Sequence, residues 1–146
     1  MADAIELTIT ADIAALPDVR DAVSAFAEGH DLPVATAYAL ELVVDEFMTN
    51  SVEHGYRDRP AGPVHLSLRL DGNTIAGEIT DEGRAFDPTT APEPDTTAAL
   101  EDRAIGGLGV HLARSLLDSL SYQRRGRQNV VLFRLSAAGP PARQAL

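Results

Sequence analysis

The stretch Val64-His65-Leu66-Ser67-Leu68-Arg69-Leu70-Asp71-Gly72-Asn73-Thr74-Ile75-Ala76-Gly77-Glu78-Ile79-Thr80 decides the fold class. Residues 64–70 alternate strictly between apolar and polar, the period of a half-buried strand, and residues 74–80 form a second run of the same kind. Asp71-Gly72-Asn73 between them has the composition of a tight reversal, so the two runs pair as a β-hairpin.

Upstream, residues 5–10 alternate and are rich in β-branched types, which predicts another strand. An amphipathic helix follows, with Val19, Val23 and Phe26 at helical spacing, Pro17 opening it and Gly29 closing it. Asp31-Leu32-Pro33 starts a second helix running to about His54; Leu40, Val43, Val44 and Phe47 form its core stripe, and Gly55 is its C-cap. Downstream, residues 81–107 are dominated by Gly, Pro, Thr, Asp and Glu and read as a long functional loop, a lid. A third helix is expected over residues 108–120, with Leu108, Leu112, Ser115, Leu116 and Ser119 along one side. A last hairpin then pairs residues 121–125 with residues 129–135. The order β-α-α-β-β-lid-α-β-β predicts an α+β fold, a two-layer α/β sandwich whose helices cover one face of a mostly antiparallel mixed sheet. A doubly wound parallel sheet would need strands and helices in alternation.

The 146 residues make one domain, assigned to residues 1–136 with the lid at about 87–105, while residues 137–146 are expected as a disordered tail. Twelve basic against twenty-two acidic residues leave a net charge of −10, a field that repels nucleic acid and argues against direct contact with it. The chain has no cysteine, which excludes disulfides, thiolate zinc sites and thiol nucleophiles. It also has no lysine, which excludes a lysine phosphate cradle or a Schiff base. An acidic beginning and the lack of a long apolar run predict neither a signal peptide nor contact with a membrane, with the cytoplasm as the expected location.

Glu46 and Asn50 stand four residues apart on the second helix, roughly 40° apart around its axis, so they can act on one object. A carboxylate and an amide oxygen at the edge of a core stripe can line a pocket and hold a hard cation; the solvated side of an amphipathic helix is the competing reading. Asp81 ends a hairpin strand on the face shared by Ile75, Gly77 and Ile79, so its carboxylate is expected on the core side. Gly83 lets the backbone turn around whatever Asp81 binds, and Phe86 offers an aromatic wall; a plain Asp-Glu-Gly turn is the alternative. Gly106-Gly107-Leu108-Gly109 presents unhindered N–H groups at the start of a helix, the physical recipe for an anion site, or else a simple hinge. His54 is read as a helix terminator, and Arg124, Arg125 and Arg127 as charges on a solvated hairpin edge. The four histidines show no metal-ligand spacing.

These elements, in this order, resemble the ATP-binding domain shared by gyrase, Hsp90, histidine kinases and MutL. The resemblance is greatest to the small anti-sigma factor serine/threonine kinases of bacterial partner-switching systems, and it covers about residues 5–136. Residues 41–56, with Glu46, Asn50, His54 and Gly55, look like the N-box; Asp81-Glu82-Gly83-Arg84-Ala85-Phe86-Asp87-Pro88 looks like the first glycine box, and Gly106-Gly107-Leu108-Gly109 like the second. The third box of larger members, a Gly-Thr pair, is replaced here by Gly126-Arg127-Gln128-Asn129, a departure from the gyrase-like ATPases.

The resemblance implies ATP and Mg2+ as cofactors, Asn50 as the magnesium ligand and Glu46 as the general base. It implies Asp81 as the acceptor from the adenine amine, beside Gly83 and Phe86 in the adenine pocket. Gly106, Gly107, Leu108 and Gly109 would bind the phosphates, residues 87–105 would form the lid over ATP, and Arg20 matches a partner-contacting position. The implied function is a serine/threonine protein kinase that phosphorylates an anti-sigma factor antagonist of the STAS type and sequesters a sigma factor, with homodimerisation as a family expectation. A non-enzymatic ATP-gated binding module is the alternative, distinguished by having no need of the Glu46 base.

Overall fold

The computed structural model describes residues 3–90 and 107–141. Within them the elements run Ala4–Thr10 (β1), Leu16–Gly29 (α1), Val34–Asn50 (α2), Pro63–Asp71 (β2), Thr74–Asp81 (β3), Gly107–Leu116 (α3), Ser119–Arg125 (β4) and Gln128–Ser136 (β5). The strands form one sheet in the order β1-β2-β3-β5-β4, and every neighbouring pair is antiparallel. The α+β sandwich is therefore as expected, and the sheet among the described residues is purely antiparallel rather than mixed.

The expected hairpin at 64–80 forms, with Leu66 opposite Ile79, Leu68 opposite Gly77 and Asp71 already paired with Thr74. Gly72, with φ +61°, is the first of its two turn residues, the position at which a mirror-image turn matching strand twist favours glycine. Val64, Leu66 and Leu68 of β2, Ile75 and Ile79 of β3, and Val131, Phe133 and Leu135 of β5 are buried with the helices in one core. The Phe133 ring fills the space above Gly77 and approaches Phe47 of α2, with ring centroids 6.3 Å apart.

Helix α2 packs between α1 and α3. It buries Leu40, Val43, Val44, Phe47 and Met48, each contributing about 1.5–3 kcal/mol. On α1 the expected stripe of Val19, Val23 and Phe26 is buried, and the helix carries Pro17 in its first turn.

Three boundaries differ from the sequence reading. The helix expected to continue to His54 is α-helical only to Asn50; Ser51–Gly55 is a π turn, wider than an α turn by one residue per hydrogen-bonded ring. The third helix stops at Leu116 rather than Leu120, because Asp118 N–H already donates to Arg134 O, and Ser119 and Leu120 pair with Arg134 and Phe133 of β5. Among the described side chains, Val110 and Ala113 of the helix and Leu117 just beyond it are buried, while Leu112 is exposed, so the core face is offset from the side predicted. Beyond β5, Ala137 N–H donates to Asn73 O and its carbonyl accepts from Thr36 Oγ1, tying the first residue of the expected tail to the fold. Of the expected lid, Pro88–Thr90 forms a short 3-10 turn and residues 91–105 lie outside the described residues.

Candidate functional site

Val64, Asp81 and Asn129 stand side by side across β2, β3 and β5, at one end of the sheet. Strand alternation turns Asp81 to the core side, as the pattern of Ile75, Gly77 and Ile79 requires, and its residue exposure is only 6 %. A carboxylate so placed needs donors, and among the described residues it has three. Ser51 Oγ donates to Oδ2 at 2.9 Å, while Gly83 N–H and Asn129 Nδ2 each donate to Oδ1 at 2.8 Å. The π turn after α2 supplies Ser51 and brings Gly55 against Gly83. A Cβ on Gly83 would lie 2.3 Å from the Gly55 carbonyl oxygen, so only glycine allows this approach.

Asp81 lines a narrow cleft of about 20 Å³ together with Phe47, Asn50, Ser51, Phe86 and Asn129, room for little more than a water molecule as these side chains stand. Asn50, on the last turn of α2, is buried, and its Nδ2 has no hydrogen-bond partner among the described residues. Phe86 forms one wall and stacks on His54, with ring centroids 5.6 Å apart and planes 20° from parallel. His54, expected only to end a helix, thus also supports the aromatic wall.

Glu46 is one helical turn before Asn50 but is not part of the cleft lining. Its carboxylate lies over Gly109, where an added Cβ would sit 2.2 Å from the carboxyl carbon, so this glycine lets the first turn of α3 approach α2. Burial pushes the Glu46 carboxyl above its ordinary value of 4.5, and the nearby charges of Asp45 and Glu53 add to the shift. Gly107 and Leu108 begin α3, and Gly106 lies outside the described residues. The structure thus brings Asn50, Asp81 and Phe86 together with Gly83 behind them, and places Glu46 and Gly109 beside each other at the α2–α3 contact.

Several residues were not anticipated as parts of this site. Ser51 directly follows Asn50 and holds Asp81. Asn129, met in the sequence as part of the stretch that replaces a family box and given no role there, joins Asp81 to the Arg84 carbonyl and accepts from Tyr122, Arg124 and Phe86. Arg124 is not simply a solvated edge charge, because its Nη1 also donates to Gly83 O at 2.8 Å. The signal for these partners was the register Asp81↔Asn129↔Arg124, which follows once the last hairpin is laid beside β3. Tyr56 closes the outer side: its hydroxyl donates to Pro63 O and accepts from Glu82 N–H, and burial is the main cause that pushes its phenol above the ordinary value. Arg20, expected at a partner surface, donates from Nε to Asp45 at 2.9 Å and is half exposed.

Residues 9–135 match the histidine kinase-like ATPase domain. The serine/threonine-protein kinase BtrW of Bordetella bronchiseptica is 37 % identical over 92 residues, 63 % of this chain and 65 % of that protein, so the match spans just under two thirds of that relative. The serine-protein kinase RsbW of Bacillus subtilis is 26 % identical over 135 residues, 90 % of this chain and 84 % of that protein. The anti-sigma F factor of Anoxybacillus flavithermus is 24 % identical over 102 residues, 70 % of each chain. Among solved structures, the RsbU and RsbW domains of Rv1364c from Mycobacterium tuberculosis share the fold, with a TM-score of 0.66 at 15 % identity over 91 % of this chain and 31 % of that one. No helix among the described residues is long and apolar enough to cross a membrane. The match runs from β1 to β5 and takes in both helices and loops that build the cleft: the chain belongs to the histidine kinase-like ATPase domain family.

Proposed function

We propose that the chain is a cytoplasmic, ATP- and Mg2+-dependent serine/threonine protein kinase acting as an anti-sigma regulatory factor, which phosphorylates an anti-sigma factor antagonist of the STAS type and sequesters a sigma factor. Relatives named serine-protein kinase and anti-sigma F factor support both halves of this reading. The observation that carries the enzymatic half is Glu46, a carboxyl raised by burial one helical turn from Asn50 and beside the start of α3. A raised carboxyl is a stronger proton acceptor than an ordinary one, and a module that only binds nucleotide has no use for one.

The residues present fit a magnesium nucleotide. Asn50 holds a buried amide with one end unsatisfied among the described residues, and turned over, that amide offers Oδ1, an oxygen donor of the type hard cations take. When bound, Mg-ATP supplies the phosphoryl group together with the cation that neutralises its charge. In this reading Asn50 holds the metal, Asp81 accepts from the adenine amine, and Gly83 and Phe86 shape the base pocket. Gly106, Gly107, Leu108 and Gly109 provide backbone donors for the phosphates, and Glu46 receives the proton of the attacking Ser or Thr hydroxyl. Arg20 lies on the surface offered to the protein partner.

Incubation with γ-labelled ATP, Mg2+ and the antagonist encoded beside it tests the proposal. Label on the antagonist that is lost in Glu46→Ala, with nucleotide binding kept, is the expected result. Nucleotide binding by the native chain without any transfer would favour the ATP-gated binding module instead.

A further inference from the structure

The polarity of the Asn129 amide is fixed by neighbours that have no choice of role. Arg124 Nη1, at 3.1 Å, and Phe86 N–H, at 3.4 Å, can only donate, so the atom they meet is Oδ1, and the Tyr122 hydroxyl donates to the same oxygen. On the other side, Asp81 Oδ1 and the Arg84 carbonyl oxygen, each at 2.8 Å, accept, so the atom they meet is Nδ2. An amide locked in this way always shows Asp81 a donor. Arg124 is itself anchored, through Nη1 to Gly83 O and through Nε to Gly126 O.

Counting Ser51 and Gly83, the Asp81 carboxylate takes three donors, two on Oδ1 and one on Oδ2. A carboxylate has about four acceptor positions, so the one left is on Oδ2, and a group that meets it there has to bring an N–H or O–H. We infer that Tyr122 and Arg124, acting through Asn129, are positioning residues that set base selectivity, favouring a 6-amino purine over a 6-oxo purine. The inference rests on Asp81 being the contact for the exocyclic amine, and it adds residues of β4 that lie outside the three boxes. A 6-oxo base sets an acceptor against an acceptor, leaving buried polar groups unpaired, which is the strongest route to discrimination a binding site has. Were the amide free to turn over, its oxygen would face the carboxylate. That repulsion would shift the carboxylate from the position at which its Oδ2 meets a 6-amino group.

Calorimetric titration of ATP and of inosine triphosphate, which differs at the 6-position, tests this in the native chain, Tyr122→Phe, Arg124→Gln and the double variant. The native chain is expected to bind ATP at least tenfold more tightly, and the double variant to narrow that ratio by about tenfold, or ~1.4 kcal/mol. Tyr122→Phe keeps the ring and removes only the hydroxyl, so it reports even if the arginine variants fold poorly; it is expected to narrow the ratio in the same direction. Variants that keep the native ratio overturn the inference, including those in which both affinities fall together, since loss of structure alone lowers both. A native chain that does not distinguish the two nucleotides, or whose ATP binding survives Asp81→Asn, removes the reading of Asp81 and the inference with it.

Discussion

Gly83 and Gly55 meet backbone to backbone: Arg84 N–H donates to Gly55 O at 2.7 Å, and a methyl group on Gly83 would come within 2.3 Å of that same oxygen. This contact joins the π turn after α2 to the loop after β3, and so holds Ser51 and Asp81 in reach of each other.

Gly83→Ala is therefore expected to push the two loops apart. Overpacking against main chain costs about 1–3 kcal/mol. For a chain of this size that corresponds to a fall in melting temperature of roughly 3–10 °C. The larger effect is expected on nucleotide binding, and calorimetry on the folded variant at low temperature checks it.

Glu46 makes stability fall as pH rises. Its folded-state value lies above the ordinary 4.5, so the native chain binds this proton more tightly than the unfolded chain. Stability at this position is therefore lost as pH climbs from the ordinary carboxylate range through the raised value. Glu46→Gln is expected to melt higher than the native chain at neutral pH, with the difference closing in acid below the ordinary range. Melting curves across pH read this directly. Phosphotransfer should run the other way, rising with pH as the carboxyl ionises and falling roughly 10²–10⁴-fold in the glutamine variant.

Asn50→Ala separates stability from binding. The Nδ2 it removes is buried without a partner among the described residues, a group whose desolvation costs about 1–3 kcal/mol, so the melting temperature should hold or rise. Nucleotide affinity should fall by about tenfold or more, and EDTA should weaken the native chain comparably. A chain with a net charge of −10 needs a cation to accept a polyanion. Binding that is unchanged by EDTA and by the alanine would rule out the metal role of Asn50.

Away from the cleft, Gly77 is closely covered, since a Cβ there would fall 2.0 Å from the Phe133 ring. Gly77→Ala is expected to destabilise by about 1–3 kcal/mol, and Phe133→Leu in the same chain to recover part of it. A double-mutant cycle in urea measures the coupling.

Most of the fold is written in local pattern. The strict alternation at 64–70 and the stripe Leu40, Val43, Val44 and Phe47 became β2 and the core face of α2 as read. The errors fell where tertiary contacts outweigh local preference. Leu117 to Leu120 continue a helical pattern, yet pairing with β5 draws Ser119 and Leu120 into a strand. Val110, Ala113 and Leu117, not Leu112, meet the core. In the site, Asp81 was legible from the parity of its strand. Asn129, 48 residues further on, was not singled out, because a cross-strand partner depends on register and not on nearby sequence. Arg124 was read as an ordinary edge charge for the same reason.

The antiparallel register puts Asp81, Asn129 and Arg124 at one end of the sheet and Asp71, Thr74 and Ser136 at the other. Thr74 and Asp81 bound β3, so the two ends are on the order of 23 Å apart at ~3.3 Å per residue. Asn73, exposed in the remote reversal, accepts from Ala137 N–H through its carbonyl. In a chain free of cysteine, Asn73→Cys would create a unique thiol for a dye or a surface tether, so that single molecules could be watched or immobilised by the end of the sheet away from the cleft.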